Sequence, residues 1–232
     1  MNEQGPLDFI EFPKMARLNR EVVITEKIDG TNAQILISES GDWSHPSNVD
    51  HDASVPSRGG DGLIVMAGSR NRWLTLGKGD NAGFAAWVKA NRSELVKLGV
   101  GRHFGEWWGA GIQRRYGLEE KRFSLFNVGR WGDFATFNAV PPDASTPGVV
   151  NLQTGIPGPA CCHVVPTLWR GNFKDCNQFR SLEMLVAHGS FAAPGWMHPE
   201  GIVIYHEASK KCFKVTVEND ESPKSVHEAR PV

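Results

Sequence analysis

The run EVVITEKIDGTNAQILIS, residues 21–38, decides how this chain is read. Its two ends, EVVIT and AQILIS, are β-branched and apolar, and Asp29-Gly30 stands between them. An Asp-Gly pair between two such runs predicts a tight hairpin, because the turn favours residues that accept a positive φ. Lys27 then ends one strand, held by a rigid turn. Taken alone, such a lysine is a solvated strand-end side chain.

Composition bounds what the rest can be. The chain has 232 residues, enough for one good core or two small ones. Its 25 basic and 26 acidic side chains nearly cancel, so no global positive field attracts a polyanion. Any nucleic-acid contact must come from a local patch. No apolar run is long enough to span a bilayer, and MNEQGPLDFIEF lacks the regions of a signal peptide, so the expected location is the cytoplasm. The four cysteines (Cys161, Cys162, Cys176 and Cys212) match neither a zinc pattern nor a dense disulfide framework. Cys161-Cys162-His163 reads as buried free thiols rather than a metal site.

No internal repeat or domain linker is evident. The polar stretch 41–62 reads as a loop between strands, its His45, Asp50, His51 and Asp52 as loop solvation. LIVMAGSR follows as a strand ending in Ser69 and Arg70. Residues 80–99 predict one helix, capped by Asp80 or Asn81 and stopped at Gly99, with Phe84, Trp87, Val88, Leu95 and Leu98 on its apolar face. Strands are expected at 102–107 and 123–128, then a Pro/Gly-rich loop over about 140–160. Phe179, Leu182 and Leu185 mark a second helix ending near Gly189, before two last strands, GIVIYH and KCFKVTV. Without strict βαβ alternation, this order predicts an α+β fold with mainly antiparallel sheets.

Placed on these strands, Lys27, Arg70, Glu106 and Glu200 fall at or near strand ends, and Lys214 falls within a strand. Several stand beside glycine, in DGTN, FGEWWGAGIQ and PEGIVIY, and glycine lets a backbone or ligand approach closely. Two lysines, an arginine and two carboxylates suit metal-assisted chemistry on a phosphate ester.

EKIDGTN, SRN, FGEWWGAGIQ, RFSLFNV, EGIVIY and FKVT occur in the order of the nucleotidyltransferase motifs of covalent nucleic-acid ligases. The set resembles the ATP-dependent RNA ligase family from about Val22 to Val217. DNA ligases usually carry arginine where this chain has Asn32, which favours the RNA ligases over a small DNA ligase; a self-adenylating module that seals nothing is the other alternative. The resemblance implies one ATP-grasp-like nucleotidyltransferase domain over residues 1–232, with two mainly antiparallel sheets flanked by helices around an ATP cleft. It also implies ATP with Mg²⁺ or Mn²⁺ as cofactors, a monomer, and RNA 5′-phosphate and 3′-hydroxyl ends as partners, a nicked duplex among them. With about 20 residues before the first strand and about 18 after Lys214, the expectation is neither the extra domain of NAD-dependent ligases nor an appended OB or helical domain.

By the same resemblance, Lys27 is the nucleophile that takes up AMP. A free lysine has a pKa of about 10.4, so a nearby cation that favours the neutral amine assists it. Glu200 is the metal-binding carboxylate, Glu106 holds the ribose, Arg70 grips ribose, phosphate or the accepting strand, and Lys214 contacts the α-phosphate. Phe126 stacks on adenine, and Glu26, Ile28, Asn32 and Lys211 complete the nucleotide site. Trp107 and Trp108 are read as packing. Arg114, Arg115, Lys121 and Arg122 form a basic cluster, either a solvated face or a track for a nucleic-acid backbone. One departure stands out: Thr216 occupies the place of a second motif lysine, so either Lys210 or Lys211 substitutes for it or the α-phosphate contact is weaker.

Overall fold

The computed structural model describes residues 11–39, 61–133 and 147–218, residues 9 and 220, and the backbone of 57–58. The expected metal-free loop residues His45, Asp50, His51 and Asp52 lie outside the described residues.

EVVITEK forms β1 (Glu21–Lys27) and TNAQILISE forms β2 (Thr31–Glu39), yet the two do not pair as a hairpin. Each belongs to a different sheet. A four-stranded sheet has the order β10 (Thr167–Asn172), β1, β11 (Gly201–His206), β12 (Lys211–Thr216), all antiparallel. A six-stranded sheet runs β3 (Ser57–Arg58), β4 (Leu63–Ser69), β2, β5 (Gly101–Gly109), β6 (Lys121–Leu125), β9 (His163–Val164). Only its β6–β9 pair is parallel among the described residues. β7 (Trp131–Asp133) and β8 (Val149–Asn151) make a small ribbon, so the expected 140–160 loop contains a strand. Mixed helix and mainly antiparallel sheet is the α+β architecture the sequence predicts.

The Asp-Gly pair therefore passes the chain from sheet to sheet. Gly30 is needed for closeness rather than for positive φ: a Cβ there would stand 2.5 Å from the Trp107 carbonyl oxygen and 2.7 Å from Trp108 Cβ. No real side chain tolerates that.

The expected helix over 80–99 is broken. α1 (Phe84–Ala90), α2 (Arg92–Leu95) and a 3₁₀ turn, Val96–Leu98, replace it. Asn91, at φ −101 and ψ 14, sits between the pieces, and its side-chain amide donates back to the Trp87 carbonyl at 2.9 Å. Asn competes for backbone bonds in this way and interrupts helices. The apolar face survives the break: Phe84, Val88, Leu95 and Leu98 cover Ala33, Ile35, Ile37, Val65, Trp107 and Phe123 of the large sheet. Phe84 stands 5.3 Å from Trp107 and 5.1 Å from Phe123, aromatic pairs each worth about 0.5–1.5 kcal/mol beyond burial. α3 (Gln178–His188) puts Leu182 and Leu185 against Ile24 and Ile202 on one face of the small sheet, leaving Phe179 exposed. A third cluster, Ile28, Trp108, Tyr116, Val165, Ala192 and Ala193, joins the two sheets. No helix among the described residues is long and apolar enough to cross a membrane.

Candidate functional site

Strand alternation separates Glu26 from Lys27. Ile24 packs under α3, and with it Glu26 points to the helix side, so Thr25 and Lys27 point to the other face. In register, Lys27 lies opposite Gly201, which lies opposite Thr216, while Thr25, Val203 and Lys214 form the next row. Lys214 and Thr216 thus share the Lys27 face of the sheet.

Lys27 Nζ donates to Glu200 Oε2 at 2.7 Å, with Glu200 almost wholly buried. Across from them, Glu106 projects from β5 beside Asn32 of β2. Its carboxylate accepts from the Gly30 N–H at 3.1 Å and from the Asn32 amide at 2.8 Å. Burial raises the Glu106 pKa to about 7 against the pull of Asn32 and of the nearby Lys27 charge, with Glu200 adding to the rise. Lys27, Glu200, Glu106 and Asn32 are one electrostatic unit at the junction of the sheets. Phe126 follows β6 and is 40% exposed, a ring free for stacking rather than a core residue. Arg70 lies one residue beyond β4 and is exposed at the sheet's end, where Ser69 pairs with Ala33.

Three expected site residues are placed differently. The Glu26 carboxylate accepts from the Ser190 hydroxyl and from the Phe191 and Ala192 N–H groups at 2.9 and 3.0 Å, anchoring the loop after α3. The Ile28 side chain is buried in the inter-sheet cluster, so only the backbones of Glu26 and Ile28 flank the Lys27 face. Lys211 opens β12 opposite His206, five residues from the Lys27 row and, by alternation with Lys214, on the other face. It does not substitute for a lysine at Thr216, whose hydroxyl bonds the Glu218 carbonyl and Asp220.

The basic cluster divides: Arg115 and Lys121 are exposed, while Arg114 and Arg122 are engaged by the fold. Arg122 is buried, bound to Glu120 and the Ala192 carbonyl, with its guanidinium over Trp108. Arg114 Nε meets Asp29 at 3.2 Å and its Nη1 meets the His198 carbonyl. Trp107 and Trp108 are buried as expected. All four cysteines are free; of the pair expected to be buried thiols, Cys162 is buried and Cys161 partly so.

Sequence reasoning missed Tyr116. Its hydroxyl accepts the Asp29 N–H at 2.7 Å, and its ring stacks edge-on against Trp108 at 4.9 Å. Burial raises the phenol pKa, keeping it neutral. Only its place soon after GEWWGAGIQ marks it in the sequence.

The chain is an α+β protein with a lysine–carboxylate pair at the junction of two mainly antiparallel sheets. Residues 20–216 match the model of the family described as RNA ligase, and the chain belongs to that family. No relative was found among curated protein sequences. Among solved structures, the chain is similar to two mutants of the Naegleria gruberi RNA ligase, each with ATP and Mn. Both are 15% identical; the matches cover 92% and 91% of this chain and 53% and 52% of theirs, with TM-scores of 0.48 and 0.47. The same ligase with PPi is 14% identical, covering 91% of this chain and 53% of its own, at TM-score 0.44. The chain thus spans about half the length of these solved relatives.

Proposed function

We propose that the protein is an ATP-dependent RNA ligase working in three steps. Lys27 Nζ attacks the α-phosphorus of ATP, a P–N bond forms and pyrophosphate leaves. The AMP passes to an RNA 5′-phosphate, releasing the lysine. A 3′-hydroxyl then attacks that phosphate, a phosphodiester forms and AMP departs. The Lys27–Glu200 contact of 2.7 Å, inside the family match, is the observation that carries this reading.

Each residue has a task that its surroundings permit. Glu200 fixes Nζ against free rotation, which orients the amine for attack. A carboxylate has about four acceptor sites, so Glu106 keeps capacity for ribose hydroxyls beyond its bonds to Gly30 and Asn32. Phe126 offers a face to adenine. Lys214, on the Lys27 side of β12, is the second cation for the phosphates. Among the described residues no three His, Cys, Asp or Glu converge on a metal site. Mg²⁺ or Mn²⁺ is typically held through one or two carboxylates, phosphates and water, and Glu200, almost wholly buried beside Lys27, is the carboxylate that would hold it. The ion, when bound, supplies charge neutralisation at the phosphates.

The test is incubation with α-labelled ATP and Mg²⁺ or Mn²⁺, then a chase with nicked or open RNA and DNA. Label should appear on wild type, not on Lys27→Ala, and should move to RNA ends in preference to DNA. Lys27→Ala should still join a strand supplied with a pre-adenylated 5′ end. Label on Lys27→Ala would sink the reading. Label that survives every chase would mark a module that adenylates itself and seals nothing, and preferential transfer to DNA would mark a DNA ligase.

A further inference from the structure

One row beyond Glu106, a line of side chains crosses the same face of the large sheet. Gln34 on β2 lies opposite Phe104 on β5, and the Phe126 N–H donates to the Phe104 carbonyl at 3.0 Å, which continues the row. Alternation puts Arg102, Phe104 and Glu106 on one side of β5. Phe104 is 51% exposed, more than Phe126. At the other end Gly68 pairs with Gln34 and bridges Trp73, whose ring lies 5.3 Å from the Arg102 guanidinium. Gln34 fixes that guanidinium from the side: Arg102 Nη1 donates to Gln34 Oε1 at 3.0 Å, and Gln34 Nε2 donates to the Ser69 carbonyl.

A single exposed Phe is ordinary, and so is a single exposed Arg. Their setting here is not. Arg102 is held by a ring and an amide, and among the described residues no carboxylate pairs with it. An oriented cation without an anion, next to an uncovered aromatic face, complements a phosphate joined to a nucleobase. Arg70 and Arg72, exposed in the turn after β4, add positive charge at the same end. Phe104 lies two residues, about 7 Å, along β5 from Glu106, so a strand held here ends beside the nucleotide residues.

We propose that this row is a platform for single-stranded RNA, with Phe104 stacking on a base and Arg102 holding a neighbouring phosphate. The choice of RNA rests on the ligase reading above. The full chain is titrated against a fluorescent single-stranded RNA of mixed sequence, over a salt series and by anisotropy. Phe104→Ala should bind about tenfold more weakly, the usual scale for loss of one base stack. Phe104→Trp should bind at least as tightly as wild type. Arg102→Ala should weaken binding and flatten the plot of log affinity against log salt by about 0.7, one phosphate contact on a single strand.

Unchanged RNA affinity in both Phe104→Ala and Arg102→Ala overturns the proposal and turns this face over to a protein partner. A Phe104→Ala variant that loses ATP affinity instead of RNA affinity also overturns it, since the ring would then serve adenine. The readout is RNA binding, not labelling or joining. Failure of Lys27 to take up label would therefore sink the ligase reading without touching this result.

Discussion

Burial holds the Glu26 carboxyl at a pKa of about 7, against an ordinary 4.5, and the bonds from Ser190, Ala192 and Phe191 offset only part of the rise. The unfolded chain ionises this group near pH 4.5, the folded chain near 7, so in between the folded state binds more protons. Stability therefore falls as pH rises across that window and levels off above it, by on the order of 3 kcal/mol from this residue. Glu106 shifts in the same direction. Urea unfolding at pH 5 and pH 7.5 should show the drop, and Glu26→Gln should shrink it to the Glu106 share. Gln suits the site: its oxygen can accept from Phe191 and Ala192 while its amide donates to the Ser190 oxygen. Glu26→Ala strands those donors and should cost about 2–4 kcal/mol. None of this was legible in EKIDGTN. Alternation says that Glu26 and Lys27 diverge, but not which of them faces α3.

Among the elements, β1, β2, β4 and β11 were readable because their apolar, largely β-branched runs leave little alternative. The pairing of β1 with β2 was not. A hairpin signal describes the turn alone, and here the Asp29 and Gly30 N–H groups are claimed by Tyr116 and Glu106 instead of a facing strand. β7, β8 and β9 are two or three residues long, below the length at which alternation shows, and β10 is an edge strand with a polar, half-exposed pattern. Besides its apolar face, the broken helix retains the predicted acceptor at its start. Asp80 stands before Gly83, not at the formal cap, yet its carboxylate accepts from the Ala85 and Ala86 N–H groups. Asp80→Ala should cost about 1 kcal/mol, the usual worth of a helix-start acceptor, read as a lower urea midpoint at unchanged slope.

Across the whole molecule, the sheets meet where Tyr116, Arg114 and Asp29 lock the turn between β1 and β2. Tyr116→Phe keeps the ring against Trp108 but leaves the buried Asp29 N–H without its acceptor. It should lower stability by about 1–3 kcal/mol and slow formation of the labelled lysine more than it weakens ATP binding, since the turn carries Lys27, the proposed nucleophile. Rapid-quench labelling at saturating ATP separates the two. Equal loss in both would assign Tyr116 to stability alone. The near-zero net charge, read from composition, stands beside a dispersed set of arginines. Arg114 and Arg122 serve the fold, which no spacing rule could have told apart from a patch.

The adjacency of Glu26 and Lys27 also works as a checksum on assembly. Sliding β1 by one residue against β11 would drive an ammonium beneath α3 and leave the loop after α3 without its anchor. A misassembled chain would thus be inert and unstable together. No long-lived folded but inactive population should accumulate, and the moles of lysine that take up label should equal the moles of folded protein in every preparation.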